Sequence, residues 1–92
     1  PIKLSMTCDG ESGYKAVRIG DKLTFTVASD RAAYLLFIEV DAEGRVVGFP
    51  NRANPDPVRI TPAEPLVLSG TEVTGPAGVS TFKVYALPVP PT

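Results

Sequence analysis

Histidine is absent from this 92-residue sequence, and cysteine occurs once, as Cys8. The missing imidazole removes the general base that a thiol or serine nucleophile needs. With one thiol and no imidazole there is neither an intrachain disulfide nor the usual nitrogen and sulfur ligand set for zinc or a transition metal. No cofactor is implied. An excess of charge is missing too: nine Lys and Arg stand against ten Asp and Glu, interleaved, for a net charge of −1. Such a balance steers the chain toward no nucleic acid and no anionic membrane. No apolar run approaches the roughly 18 residues of a spanning helix, so membrane insertion is not expected. A lone thiol fits reducing and oxidising compartments alike and leaves localisation open.

Proline is scarce in the first half, where only Pro1 precedes Pro50, and dense afterwards, with nine of the ten prolines from Pro50 onward. A proline in a helix interior costs about 3 kcal/mol, so the second half has little room for helices. An apolar fraction of 43% and a charged fraction of 21% sit near globular values and argue against disorder. The length accommodates one domain with a two-layer core. Residues 1–87 read as that domain and residues 88–92, Pro-Val-Pro-Pro-Thr, as a Pro-rich tail or linker. Beginning at Pro1 rather than Met and closing on that tail, the chain reads as a processed product or a segment of something longer.

Period-two alternation supplies most of the remaining order. Ile2, Leu4 and Met6 alternate with Lys3, Ser5 and Thr7, as in an edge strand with one wet face. Asp9 to Gly13 reads as a turn, Tyr14 to Ile19 as a weakly pairing segment, and Gly20-Asp21 as a tight turn. Leu23, Phe25 and Val27 share one face of the next strand, opposite Thr24 and Thr26. Ala33 to Val40 is apolar on both faces apart from Glu39, which places it in the middle of a sheet. Asp41-Ala42-Glu43-Gly44 has the composition of a hairpin loop on a type I turn, with Gly44 at positive φ and Arg45 to Phe49 as the partner strand. Asn51 to Pro57 reads as a Pro-punctuated surface loop, Val58 to Thr61 and Leu66 to Leu68 as short strands, Gly70 to Gly78 as a loop and Ser80 to Leu87 as a last strand returning to the core. The expected fold is all-β, an immunoglobulin-like antiparallel β-sandwich of about seven strands.

The order Gly20-Asp21, Leu23 to Val27, Tyr34 to Ile38, Asp41-x-x-Gly44, Phe49-Pro50-Asn51, Ile60 and Gly75-Pro76-x-Gly78 before Phe82 to Leu87 resembles the bacterial domain of unknown function 4384 family. The similarity runs from about Tyr14 to Pro88. Two features depart from the family pattern: Gly48 stands where an aliphatic is common, and the loop after Asn51 is unusually rich in proline. What the resemblance implies is an immunoglobulin-like module of the kind fused to caspase-like peptidases, Ser/Thr kinases or exported proteins, without catalytic residues to carry over. It implies a periplasmic or extracellular setting, with a cytoplasmic one left open.

Each chemical reading has a structural competitor. Cys8 is expected to be an inert thiol at a strand end. The carboxylate pairs Asp9 with Glu11 and Asp41 with Glu43 could serve as acid and base, but both sit in turns, where Asp ordinarily bonds its own backbone. Phe49 beside Pro50, with Asn51, Arg52 and Asn54 as a polar rim, could form a platform for a peptide or a sugar. Equally, Phe49 could plug the core while Pro50 ends the strand and Asn51 turns the chain. Tyr85 shares a face with Thr81 and Lys83 and is the tyrosine expected to be exposed. The expected function is a non-catalytic protein-interaction or scaffolding module of a larger bacterial envelope or signalling protein, using a free sheet edge or the loop from Asn51 to Pro57. The alternative is a carbohydrate-binding module for cell-wall glycan. The partner is expected to be a protein of unspecified identity. An edge-strand dimer through the first strand is a further option that Lys3 opposes.

Overall fold

A computed structural model describes residues 2–53 and 55–90. These residues contain no helix. Seven strands follow one another: β1 Leu4–Cys8, β2 Lys22–Ser29, β3 Ala33–Val40, β4 Val46–Phe49, β5 Val58–Ile60, β6 Leu66–Glu72 and β7 Thr81–Leu87. They form two antiparallel sheets. Sheet A has the order β1-β2-β6. In sheet B, β3 is central: β7 pairs along its whole length, while β4 and β5 share its other edge, against Phe37 to Val40 and Ala33 to Leu35 respectively.

Alternation on β2 and β3 explains how the sheets meet. Leu23, Phe25, Val27 and Ser29 are buried on one face of β2, and Ala33 and Leu35 on one face of β3. Val27 of sheet A packs with Leu35 and Ile60 of sheet B, and Leu4, Met6, Val58, Leu66 and Val84 close around them. Three rings complete the core at one end. Phe25 lies 5.8 Å from Phe37 and 4.9 Å from Phe82, and the last two are 5.9 Å apart, within the range of favourable aromatic packing. Ser29, the one buried polar side chain among the described residues, donates its hydroxyl to the Arg31 carbonyl at 2.5 Å and accepts from the Arg31 amide, so its burial leaves no unmet hydrogen bond. The molecule is therefore a β-sandwich. With β5 set aside, its order β1-β2-β6 against β4-β3-β7 corresponds to strands A-B-E against C′-C-F of an immunoglobulin-like domain; β5 departs from that plan by pairing with β3 and not with β6. No described strand pairs with the outer edge of β7.

Local chemistry sets the connections. Asp41 Oδ1 accepts from the Glu43 and Arg45 amides and Oδ2 from Arg45 Nε, all at 2.8–2.9 Å. Gly44, at φ 83°, donates back to the Asp41 carbonyl, closing the β3–β4 hairpin as its composition predicts. Three expectations are corrected. Tyr14 to Ile19 forms no strand; Lys15 instead reaches Asp9 and Glu11, and Tyr14 stands in solvent. The strand expected at Leu66 to Leu68 continues through Ser69 to Glu72, because a bulge between Leu68 and Thr71 lets these polar residues keep pairing with Leu23 and Lys22 at a sheet edge. The loop expected from Gly70 therefore begins only after Glu72.

Candidate functional site

Which faces the two sheets turn outward follows from register, because residues directly opposite in an antiparallel pair share a face. On sheet A, Thr26 stands opposite Thr7 and Val67, and Ala28 opposite Ser5. On sheet B, the outward residues of β3 are Tyr34, Leu36, Ile38 and Val40, alternating with the inward Ala33, Leu35 and Phe37. Tyr85 lies opposite Leu36, Lys83 opposite Ile38, Leu87 and Arg59 opposite Tyr34, and Val46 opposite Val40. The result is a half-buried apolar column along β3 that no described strand overlies. Tyr85 is 47% exposed and Val46 66% exposed at its margins. An apolar strip of this kind is a candidate interaction surface where it reaches a few hundred Å² of exposed area.

The residues singled out in the sequence separate. Tyr85 lies on the outer face of sheet B, in register with Leu36. Phe49 faces the other way: it is half-buried and opposite Phe37, whose ring belongs to the core cluster. Asn51 closes the corner after β4, with Nδ2 donating to the Gly48 carbonyl at 2.6 Å and Oδ1 accepting from the Ala53 amide at 2.9 Å. Arg52 is exposed in the following loop. Asn54, like Pro91 and Thr92 of the expected tail, lies outside the described residues. The corner thus turns the chain, while Tyr85 belongs to a different surface.

Two further places gather polar chemistry. A cleft of about 260 Å³ opens between the β3–β4 hairpin and the segment after β6, lined by Glu39, Asp41, Arg45, Val47, Thr74 and Ser80 among others. Its volume is below that of an ordinary small-molecule site. Asp41 is committed to the hairpin, and the backbone amide of Arg45 is the leading cause that holds its carboxyl below the usual carboxylate range. At the end of β1, Cys8 and Glu11 bond to each other through their backbones, Asp9 Oδ1 accepts from the Thr24 amide, and Lys15 bridges Asp9 and Glu11. Burial pushes the Cys8 thiol up from its ordinary value, and the neighbouring Asp9 carboxylate adds to the shift, so the thiolate is disfavoured. Both carboxylate pairs are thus engaged in turn geometry. Among the described residues, no three His, Cys, Asp or Glu side chains converge as metal ligands do.

The profile of the family described as Domain of unknown function (DUF4384) matches residues 16–90, and the chain belongs to that family. No curated protein and no solved structure matches the chain. The matched span contains β2 to β7, hence all of sheet B, and leaves β1 outside.

Proposed function

We propose that this family member is a non-catalytic protein-interaction or scaffolding module whose partner docks on the outer face of sheet B. One observation carries the reading: β3 is apolar on both faces apart from Glu39, and the second sheet packs only on its inner one, leaving the outer residues half-buried. The unpaired outer edge of β7 borders the same surface and offers backbone groups to an added strand. A bacterial envelope setting is part of the proposal and rests on the family resemblance alone.

The test uses the native host and a photo-crosslinking amino acid placed at position 85 or, separately, at position 26 on the outer face of sheet A. A defined adduct from position 85 and none from position 26 supports the reading. Equal adducts from both, or none from either, removes it. The loop alternative is checked by Arg52→Glu, which should leave the adduct at position 85 unchanged.

A second reading is glycan binding, favoured by the placement of two tyrosines. Tyr34 and Tyr85 lie on the same face as diagonal neighbours, since Tyr34 is opposite Leu87 and Tyr85 opposite Leu36. Such diagonal pairs lie about 7–8 Å apart, a spacing that aromatic side chains can bridge. Retention on cell-wall glycan that survives both Tyr34→Ala and Tyr85→Ala would count against it.

A further inference from the structure

We infer that the occupant of the outer face of sheet B is an amphipathic helix carrying two carboxylates on opposite flanks, about nine residues apart. The inference rests on the interaction reading above and adds the chemistry of the partner. The charge on this face is of one sign. Arg59 on β5 stands opposite Tyr34, and Lys83 on β7 stands opposite Ile38. Neither has a hydrogen-bond or ion-pair partner among the described residues, and no Asp or Glu faces outward from β3, β4, β5 or β7. A chain of net charge −1 thus presents a locally cationic, apolar face, complementary to an acidic, apolar one.

Dimensions select the shape of the occupant. Neighbouring strands are about 4.8 Å apart, so Arg59 and Lys83 flank β3 across roughly 10 Å, close to the 10–12 Å diameter of a helix. Along β3, Tyr34 and Ile38 are about 13 Å apart, at roughly 3.3 Å per residue. A helix rising 1.5 Å per residue covers that distance in about nine residues, and nine steps of roughly 100° return to the opposite side. A helix lying along β3 with carboxylates at i and i+9 therefore meets both cations while an apolar stripe faces Leu36 and Ile38. A second copy fits poorly. The column measures about 20 by 14 Å, roughly 280 Å², against about 800 Å² per partner in a standard interface. Two copies face to face would also oppose cation to cation.

The test compares three 15-residue helical peptides of identical Leu stripe, measured by fluorescence anisotropy. One carries Glu at positions 3 and 12, the second Lys at both, the third Glu at 3 and 10 on a single flank. The first should bind at least tenfold tighter than either of the others, and the advantage should shrink at high salt. The double variant Lys83→Glu, Arg59→Glu, both at exposed positions, should reverse the Glu-over-Lys preference. Leu36→Asp, checked for folding by circular dichroism and backed by Tyr85→Ala, should weaken all three. Equal binding of the Glu and Lys peptides, lost in Leu36→Asp, overturns the charge inference and leaves the interaction reading standing. No binding to the wild-type domain overturns it as well, while the crosslink at position 85 reports separately on the interaction reading. Capture by phosphatidylglycerol vesicles that depends on Lys83 and Arg59, without the peptide preference, overturns it in favour of a lipid surface. So does a dimer in sedimentation that Leu36→Asp dissolves, in favour of a second copy.

Discussion

The two outer faces of the sandwich are built from the same strand geometry and finished in opposite ways. Outside sheet A stand Ser5, Thr7, Thr24, Thr26 and Ala28, small or hydroxylated side chains that water satisfies, with Val67 as a single large apolar side chain opposite Thr26. Outside sheet B stand Tyr34, Leu36, Ile38 and Val40, flanked by Tyr85 and Val46. Neither face is needed for the core, because Val27, Leu35 and Ile60 meet between the sheets. Threonine has a high β propensity and would have served β3 as well as it serves β2. The apolar finish on sheet B is what the proposed docking would account for.

Comparing the two faces of β3 itself sharpens that contrast most. Leu35 is 1% exposed and Leu36 only half-buried. Leu35→Ala leaves a cavity in the core and should cost about 3 kcal/mol. Leu36→Ala should cost about 1 kcal/mol or less, since the outer face has no second layer to collapse around. Chemical denaturation of both variants measures the gap; equal losses would mean that the outer face is part of the folding core and would undo the contrast.

Next in size is the contact joining the two halves of the chain at the hairpin. Gly78 sits at φ 150°, and a Cβ there would lie 2.6 Å from the Cβ of Ala42. Gly78→Ala should destabilise by roughly 1–3 kcal/mol through strain and overlap. Because Ala42 is in the turn and not on the apolar column, crosslinking from position 85 should persist in whatever fraction remains folded. A stable Gly78→Ala variant that has lost the adduct would relocate the site to the hairpin.

How much of this was legible before the fold depended on whether the signal was local. Leu23, Phe25 and Val27 alternate with Thr24 and Thr26, so both faces of β2 can be read from five consecutive residues. The two-sided apolarity of β3 is equally plain and places it centrally, but whether a layer covers the second face is a tertiary fact that no local pattern contains. Phe49 shows the same limit: an aromatic before Pro50 suits a platform or a plug, and only its register with Phe37 decides its direction. Gly70 to Glu72 read as the start of a loop, yet a bulge keeps this stretch paired. Tyr85 was legible as exposed from its companions Thr81 and Lys83; that it joins Tyr34 and Leu36 required the pairing of β7 with β3.

The smallest effect tests whether the sheets are pinned as differently as they are surfaced. Each has a carboxylate at a strand end. Asp30 accepts from the Lys3 amide and ties β1 to the end of β2, whereas Asp41 accepts from two backbone amides and from Arg45 Nε in sheet B. Both carboxyls are held below their ordinary value of 3.8, led by the Lys3 amide at Asp30 and by the Arg45 amide at Asp41. A carboxyl whose pKa is lower in the folded than in the unfolded chain contributes stability that is full above the ordinary value and is lost as pH falls through the depressed one. Both groups are at the surface, where solvent and salt screen the gain, so the changes are modest. Melting temperatures should therefore decline on acidification below about pH 4, near the unperturbed carboxylate range. The deficit of Asp41→Asn relative to wild type should be present at pH 7 and shrink toward zero at low pH. Asp30→Asn should behave alike with a smaller deficit, having fewer donors to lose. An Asp41→Asn curve that stays parallel to wild type through the acid limb would show that the side chain acts through its turn geometry and not its charge.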